Sequence, residues 1–309
     1  MRVLITCPPM YALKDKIEQN FLRYGIDVIF PNIVQTMKES QLIEIIHEFD
    51  GWIIGDDPAT RCVFEKGSKG KLKAAVKWGV GVDNVDFSAC AEFGILVDHT
   101  PNMFGNEVAD LAIGYLIGLA RESYFIDRQV RAGYWPKNRG ISLDNKVVGL
   151  IGYGDIGRQV AKRIKALGMQ LVIYDPQYMQ SENAHIKAEK WPDKIENCDF
   201  LIFTCSLNKY NHHMMDRKEM EQCKNGVRVI NVARGALINE SELICSLKNN
   251  KVHSVALDVF EIEPLPKDSY LIAHPYSILG SHNASNTVEA VERTNKIAIE
   301  KLLKFLGEN

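Results

Sequence analysis

The sequence predicts an α/β protein built from two parallel sheets, each flanked by helices. Two observations carry this. Short β-branched runs alternate with amphipathic helical stretches twice along the 309 residues, once before Thr100 and again after Asn145. The second series opens on a glycine-rich turn set between a strand pattern and a helix pattern. At ~150 residues per domain, the length itself suggests two domains.

In the first series, strands are expected at 2–6, 27–30, 51–54, 73–77 and 95–97, with helices near 11–23, 38–48, 61–68 and 86–93. Thr100-Pro101 then punctuates the chain. A long helix follows, with Asn106 its expected N-cap and apolar residues at Val108, Leu111, Ala112, Tyr115, Leu116 and Leu119. A second helix, about 122–132, ends at Gly133, and 134–141 reads as loop. The second series places strands at 146–151, 170–174, 200–203, 227–231, 254–257 and 278–280. Six strands with helices between them match a complete dinucleotide-binding sheet. The final helix, 287–306, carries a broad stripe of Val288, Val291, Ile297, Ile299, Leu302 and Leu306. It follows a completed sheet, so it is expected to cross back onto the first domain.

Composition excludes several function classes. Apolar residues make up 46% and charged residues 25%, ordinary for a soluble globular chain long enough to bury a full core. A net charge of −2 gives no electrostatic reason to expect nucleic acid or an anionic membrane as partner. Cys7, Cys62, Cys90, Cys198, Cys205, Cys223 and Cys245 are odd in number and contain no C-x-x-C pair. Neither a disulfide framework nor a structural zinc site is expected; the plain reading is reduced thiols in the cytoplasm. The N-terminus lacks the apolar core and cleavage site of a signal peptide. The most apolar helix, 108–120, is shorter than the ~18–20 residues of a membrane span and contains Asp110. Lys66, Lys69, Lys71, Lys73 and Lys77 read as a solvated face. His212 and His213 read as a solvated helix start, because adjacent histidines point different ways and make a poor metal pair.

The strongest motif is Gly152-Tyr153-Gly154-Asp155-Ile156-Gly157, between a strand and a helix expected at 158–167. Gly152 permits the tight turn, Gly154 lets the backbone approach a pyrophosphate, and Gly157 lets helix and strand pack closely. The helix N-terminus offers N–H groups and a positive dipole end to phosphates. The next strand ends at Asp175, 18 residues beyond Gly157. An acid there accepts hydrogen bonds from the adenosine ribose and repels a 2′-phosphate, which favours NAD over NADP. No metal is called for.

Three polar residues lie just past strand ends: Arg234 in Asn231-Val232-Ala233-Arg234-Gly235, Glu263 before Pro264, and His282 in Gly280-Ser281-His282-Asn283-Ala284-Ser285. Singly, each has an ordinary reading as a surface arginine, a turn carboxylate and a core histidine. Together with Gly79-Val80-Gly81-Val82-Asp83-Asn84-Val85-Asp86 and Ala256-Leu257-Asp258-Val259-Phe260-Glu261-Ile262-Glu263-Pro264, they change the picture. Over nearly its whole length the chain resembles the D-isomer-specific 2-hydroxyacid dehydrogenase family, nearest its phosphoglycerate-dehydrogenase-like branch.

The resemblance implies a Rossmann NAD-binding domain over 100–282, with a dimerisation arm at about 104–140. It also implies a flavodoxin-like parallel α/β substrate domain made of 1–99 and 283–309. Arg234, Glu263 and His282 match the family's catalytic arginine, carboxylate and histidine. An arginine pairs with a substrate carboxylate and polarises the 2-oxo group. A histidine takes the hydroxyl proton during oxidation and returns it during reduction. A carboxylate beside it favours imidazolium and raises its pKa above ~6.5. Backbone at Val80 and Gly81 would hold the substrate carboxylate, with Gly55 and Asp56 completing the substrate site. Asp155 and Ile156 would meet the pyrophosphate through backbone, Thr204, Cys205 and Ser206 would flank the adenosine half, Val232 and Ala233 would line the cofactor, and Asp258 and Ser285 would lie near the nicotinamide. The implied partners are a phosphoglycerate-, glycerate- or lactate-like 2-hydroxy or 2-oxo acid and a second copy of the chain.

Some features depart from that branch. Phosphoglycerate dehydrogenases often carry regulatory domains after the core; this chain stops at Asn309, so serine feedback through such a domain is not expected. The loop Gly55-Asp56-Asp57-Pro58-Ala59-Thr60, with Arg61 just beyond, offers two aspartates where relatives can place a phosphate-binding arginine. Aspartates there repel a phosphate by a few kcal/mol at most after surface screening, which argues against assuming 3-phosphoglycerate. Phe104 stands where relatives often have a small polar residue, and either narrows the pocket or packs against the hinge. Trp135 has two open readings, a residue reaching a partner's site or a loop tryptophan packed on its own domain. An NAD sensor or corepressor without turnover is the main alternative function; a methyltransferase fits the two-sheet order and late histidine poorly. Domain closure is expected, with hinges near 97–101 and 281–287.

Overall fold

The computed structural model describes residues 1–178 and 186–308. The chain forms two compact units, Met1–Met103 with Asn286–Asn309, and Phe104–Ser285.

The first unit is built on five parallel strands: β1 (Arg2–Ile5), β2 (Asp27–Ile29), β3 (Gly51–Ile54), β4 (Ala74–Lys77) and β5 (Leu96–His99). Their order, β2-β1-β3-β4-β5, is the flavodoxin-like one. Every residue of β3 and β4 is buried, as strands covered by helices on both faces must be. Helices α1 (Pro8–Tyr11), α2 (Lys14–Leu22), α3 (Glu39–Ile45), α4 (Arg61–Ser68) and α5 (Phe87–Phe93) connect the strands. The single helix expected over 11–23 is two, because prolines open α1 early, at a position where a missing N–H costs nothing. Leu4, Leu42, Trp52, Ile54 and Phe64 form the core on one face of the sheet.

The second unit contains seven parallel strands: β6 (Val147–Ile151), β7 (Gln170–Tyr174), β8 (Ile186–Ala188), β9 (Phe200–Phe203), β10 (Val227–Asn231), β11 (Val252–Leu257) and β12 (Ile278–Leu279). The order β12-β11-β10-β9-β6-β7-β8 is the doubly wound order of a dinucleotide-binding sheet. The expectation of six strands is corrected by β8, a three-residue edge strand that pairs with β7. Ile-Lys-Ala is too short and mixed to register as a run.

Helices α6 (Gly105–Arg121), α7 (Ser123–Arg131), α8 (Asp155–Ala166), α9 (Arg217–Gln222), α10 (Glu240–Lys248) and α11 (Tyr270–Ala273) complete this unit. Phe104, not Asn106, is the N-cap of α6, and Phe104 is buried. The apolar stripe of α6 does not wait for a second copy. Val108, Ala112, Tyr115, Leu116 and Leu119 are buried inside the unit, where α6 packs on α8 and on the β10–β12 side of the sheet. Burying a valine or leucine side chain stabilises by about 1.5–3 kcal/mol.

Helix α12 (Val288–Leu306) belongs to the first unit and lies against β3 and β4. Thr287 caps it by accepting the Ala290 N–H, and Gly307 ends it. The Trp78 indole N–H donates to Asn295 at 2.7 Å, and Lys301 donates to Asp98 at 2.6 Å. Among the described residues, no helix is long and apolar enough to cross a membrane.

Candidate active site

The glycine turn sits where β6 hands over to α8. Gly152 has φ of 96°, and an added Cβ would stand 2.6 Å from the Cys205 backbone nitrogen. At Gly157 an added Cβ would stand 2.2 Å from the Gly152 carbonyl oxygen. Gly154 differs from both: it is exposed, and nothing lies within 4 Å of a Cβ built there. Two glycines are therefore required by the fold and the third leaves an open cradle at the N-terminus of α8. Open backbone amides at a helix N-terminus fit a pyrophosphate.

The neighbours expected to touch the cofactor are largely engaged in shaping this turn. Asp175 accepts the Tyr153 N–H at 2.6 Å and the Gln177 N–H at 2.8 Å. Each carboxylate oxygen keeps further lone pairs for a ribose hydroxyl. Thr204 donates its hydroxyl to the Gly152 carbonyl at 2.9 Å. Cys205 lies beside Gly152, and burial pushes its thiol up to about 12, so it is an unreactive packing group. Ser206 is exposed and its carbonyl accepts from Asn211. The Asp155 carboxylate packs against Gly105, at the starts of both α6 and α8, where an acid is favoured by both helix dipoles. Ile156 is half-buried in the first turn of α8.

The catalytic candidates come together at the ends of β10, β11 and β12. Glu263 Oε2 lies 2.7 Å from His282 Nδ1, while Glu263 Oε1 accepts the Phe260 N–H at 2.9 Å. Both side chains are about one-fifth exposed, at 22% and 21%. His282 adopts φ of 55°, and its own N–H donates to the Asp258 carbonyl at 2.7 Å. The Asp258 carboxylate is buried and accepts the backbone N–H groups of Asn283 and Ala284, with the Tyr115 hydroxyl 3.5 Å away. Burial raises its pKa above the ordinary carboxylate value. Asp258 thus fastens the segment that carries His282, and Ser285 continues that segment in a half-exposed position.

Arg234 is half-buried on the turn after β10, with Nη1 donating to the Ala233 carbonyl at 2.8 Å. Asn231 is buried and clasps this turn, accepting the Ala233 N–H and donating to the Arg234 carbonyl. Val232 and Ala233 are buried beneath it. A Cβ on Gly235 would overlap the Phe260 backbone at 1.9 Å, so only glycine lets the Arg234 turn lie against the 260–263 segment.

In the first unit, the turn 79–82 follows β4. Gly79 has φ of 124°, and Thr100 clamps the turn by accepting the Gly79 N–H at 2.7 Å. Thr100 is therefore more than a break in the pattern. Val80 and Gly81 are partly exposed. Gly55 follows β3 and approaches the Thr6 carbonyl so closely that a Cβ would stand 2.3 Å from it. Asp56 is 37% exposed and pairs with Lys77 at 2.9 Å. Lys77 corrects the expectation of a solvated lysine face: it is only 2% exposed, at the end of a strand covered on both sides.

Other expectations also change. Trp135 is 75% exposed, with Lys137 over its ring at 5.5 Å, so it is not packed on its own domain. His213 lies in a turn and pairs with Glu261, and α9 starts only at Arg217. No cluster of three or more metal-binding side chains occurs among the described residues.

Comparison with known proteins gives a consistent picture. The family described as D-isomer specific 2-hydroxyacid dehydrogenase, NAD binding domain, matches residues 113–284. The chain is 33% identical to a D-3-phosphoglycerate dehydrogenase of Methanocaldococcus jannaschii, over 94% of this chain but 56% of that protein, so it spans little more than half the relative's length. It is 32% identical to a hydroxypyruvate reductase of Thermotoga maritima, over 88% of this chain and 89% of that one. A solved glyoxylate reductase from Paecilomyes thermophila is 26% identical, with a TM-score of 0.84 over 100% of this chain and 96% of the other. The chain belongs to the D-isomer specific 2-hydroxyacid dehydrogenases, and its second unit contains the family's NAD binding domain.

Proposed function

We propose that the protein is an NAD-dependent oxidoreductase acting on C2 of a small D-2-hydroxy acid or the corresponding 2-oxo acid. The observation that carries this is the 2.7 Å contact between Glu263 and His282 beside the Arg234 turn. A cofactor sensor needs no such acid–base pair.

NAD, when bound, supplies the hydride acceptor; the protein supplies binding, orientation and proton transfer. On the turn that Gly152 and Gly157 shape, Gly154 and the first turn of α8 hold the pyrophosphate, and Asp175 takes the adenosine ribose. Val232, Ala233 and the 204–206 strand end flank the cofactor. Val80 and Gly81 bind the substrate carboxylate through backbone N–H groups. Arg234 pairs with that carboxylate and polarises the 2-oxo oxygen. His282 moves the hydroxyl proton at Nε2, while Glu263 holds Nδ1 and with it the ring orientation. Relatives are named for D-3-phosphoglycerate, hydroxypyruvate, glyoxylate and D-lactate, and this chain's substrate is proposed to be a phosphoglycerate-, glycerate- or lactate-like acid of that kind.

The test is NADH oxidation with glyoxylate, hydroxypyruvate, pyruvate, 2-oxoglutarate and phosphohydroxypyruvate, with Arg234→Ala and His282→Ala alongside. Turnover lost in both variants supports the reading. NADH binding without reduction of any acid sinks it.

The proposal extends to assembly. Tyr124, Val130, Tyr134 and Trp135 are exposed along the arm, and a homodimer through this segment covers them. Monomeric sedimentation at micromolar concentration refutes that. All seven cysteines are free, which suits a reducing compartment and a cytoplasmic enzyme.

A further inference from the structure

His213 has no part in the chemistry above, yet it touches both segments that carry it. It sits in the turn before α9 with φ of 52°, a left-handed conformation that histidine tolerates better than most residues. Its backbone N–H donates to the Ala236 carbonyl at 2.8 Å, two residues past Arg234. The pairing continues from there: the Met215 N–H donates to the Leu237 carbonyl, and the Asn239 N–H to the Met215 carbonyl. The His213 side chain reaches a different segment. Nε2 meets Glu261 Oε1, with the two side chains 31% and 29% exposed. An ionised carboxylate only accepts, so Nε2 carries the proton.

Glu261 stands two residues before Glu263, and the segment that holds both is closed on itself. The Phe260 N–H donates to Glu263 Oε1 at 2.9 Å, which leaves Oε2 for His282 Nδ1 at 2.7 Å. Wherever residues 260 and 261 stand, the Glu263 carboxylate follows. Two contacts hold these residues from the Arg234 side: the close approach of Gly235 to Phe260, and the Glu261 N–H, which donates to Glu240 Oε2 at 3.3 Å. The second contact brings two carboxylates together. Burial raises the Glu240 pKa above the ordinary value, and the Glu261 charge raises it further. The imidazole of His213 gives the Glu261 carboxylate a donor that offsets this repulsion.

We propose that His213 is a positioning residue for the reaction: it braces the segment that carries Glu263 against the turn that carries Arg234. This rests on the dehydrogenase reading. Fixing Glu261 fixes Phe260, and through the Phe260 N–H it fixes the direction of the Glu263 carboxylate and of the His282 ring. The backbone N–H that serves the Arg234 turn survives replacement of the side chain. Side-chain variants therefore act on the proton-transfer pair and not on substrate binding.

The experiment follows NADH oxidation with the same 2-oxo acids in the full chain and in His213→Asn, His213→Gln, Glu261→Ala, Glu263→Gln and the double variant His213→Asn/Glu263→Gln. Melting curves and NADH fluorescence titrations accompany each. Asparagine accepts the positive φ but is too short to place a donor where Nε2 stands, whereas glutamine reaches that point. His213→Asn and Glu261→Ala should each lower kcat about 10-fold, as a small misplacement of a catalytic group does, with KM and NADH affinity within about twofold. His213→Gln should recover to within about threefold of the unsubstituted kcat, because a neutral donor replaces the imidazole. Melting midpoints should fall by less than about 4 °C, since a partly exposed pair contributes little to stability. In the Glu263→Gln background the charge that His213 steers is already gone, so His213→Asn should cost less than about twofold more.

An unchanged kcat in His213→Asn overturns the inference and leaves the dehydrogenase reading standing. So does a loss that multiplies with that of Glu263→Gln, or a loss in His213→Gln as deep as in His213→Asn. If His213→Asn fails to fold, Glu261→Ala decides: an unchanged kcat there overturns the brace, and a loss of kcat alone supports it. Failure of the unsubstituted chain to reduce any 2-oxo acid sinks both readings.

Discussion

Replacing Gly154 with alanine separates cofactor affinity from folding. Gly154 is the N-cap of α8, with φ of −75° and ψ of −152°, an extended conformation open to any residue. A Cβ there has no protein atom within 4 Å. The folded chain should therefore lose less than about 1 kcal/mol, the scale of an N-cap change. The same methyl stands where the pyrophosphate is proposed to approach the backbone. Crowding by one methyl group costs about 1–3 kcal/mol, which is roughly 5- to 150-fold in Kd. Gly157→Ala is the contrasting case. Its Cβ would stand 2.2 Å from a backbone oxygen that cannot move without dismantling the turn. A loss of about 2 kcal/mol or more is expected there, roughly 4–8 °C in melting temperature for a unit of this size. NADH fluorescence titration and thermal melts measure both quantities. The reasoning fails if Gly154→Ala binds NADH within twofold of the unsubstituted chain, or if it melts as early as Gly157→Ala.

Two further outcomes follow from the same geometry. Glu263→Gln keeps an acceptor for the Phe260 N–H but removes the charge beside His282; kcat should fall about 10- to 100-fold in steady-state assays, with NADH affinity retained. A variant within twofold of the unsubstituted kcat would deny Glu263 its role. His274 is buried, and burial, followed by the charge of His253, lowers its pKa below the ordinary 6.5. Between that lowered value and 6.5 the unfolded chain binds more protons than the folded one, so stability is lost as pH falls through this window, by up to about 1.4 kcal/mol per pH unit. His274→Gln should make the fall in melting temperature between about pH 7.5 and 5.5 shallower, leaving the share of His253, whose pKa burial also lowers, and parallel curves for the two proteins would refute the assignment.

The two sheets were legible because their central strands are continuous apolar runs. β3, β7, β9 and β10 begin and end where the pattern does, at Gly51–Ile54, Gln170–Tyr174, Phe200–Phe203 and Val227–Asn231. Periodicity says little about a three-residue edge strand, which is why β8 was missed. It says equally little about which residue caps a helix when the cap is a buried aromatic such as Phe104. Lys77 was misread for a related reason. A lysine in a sequence suggests solvent, and what keeps it buried is an aspartate 21 positions away across a strand pair.

The candidate site was legible by residue but not by function within the site. Thr204 and Asp258 were expected to face the cofactor, and Asp175 to bind its ribose. In the fold each first engages backbone: Thr204 holds the Gly152 carbonyl, Asp175 the Tyr153 N–H, and Asp258 the amides that follow His282. Asn231 and Thr100, which carried no expected role, do the same for the Arg234 turn and the Val80–Gly81 turn. Every turn that carries a proposed ligand contact is clamped by a short polar side chain at a strand end. The clamp comes from a neighbouring strand for the glycine turn, the Val80–Gly81 turn and the His282 segment, and from β10 itself for the Arg234 turn. These clamps hold amides and charged groups in place before any ligand arrives, which lowers the ordering cost of binding. A hydride-transfer site depends on orientation more than on any single strong contact. The residues that recur in the motifs are thus a mixture of groups that meet the substrate and groups that fix the backbone for them, and only the folded geometry separates the two.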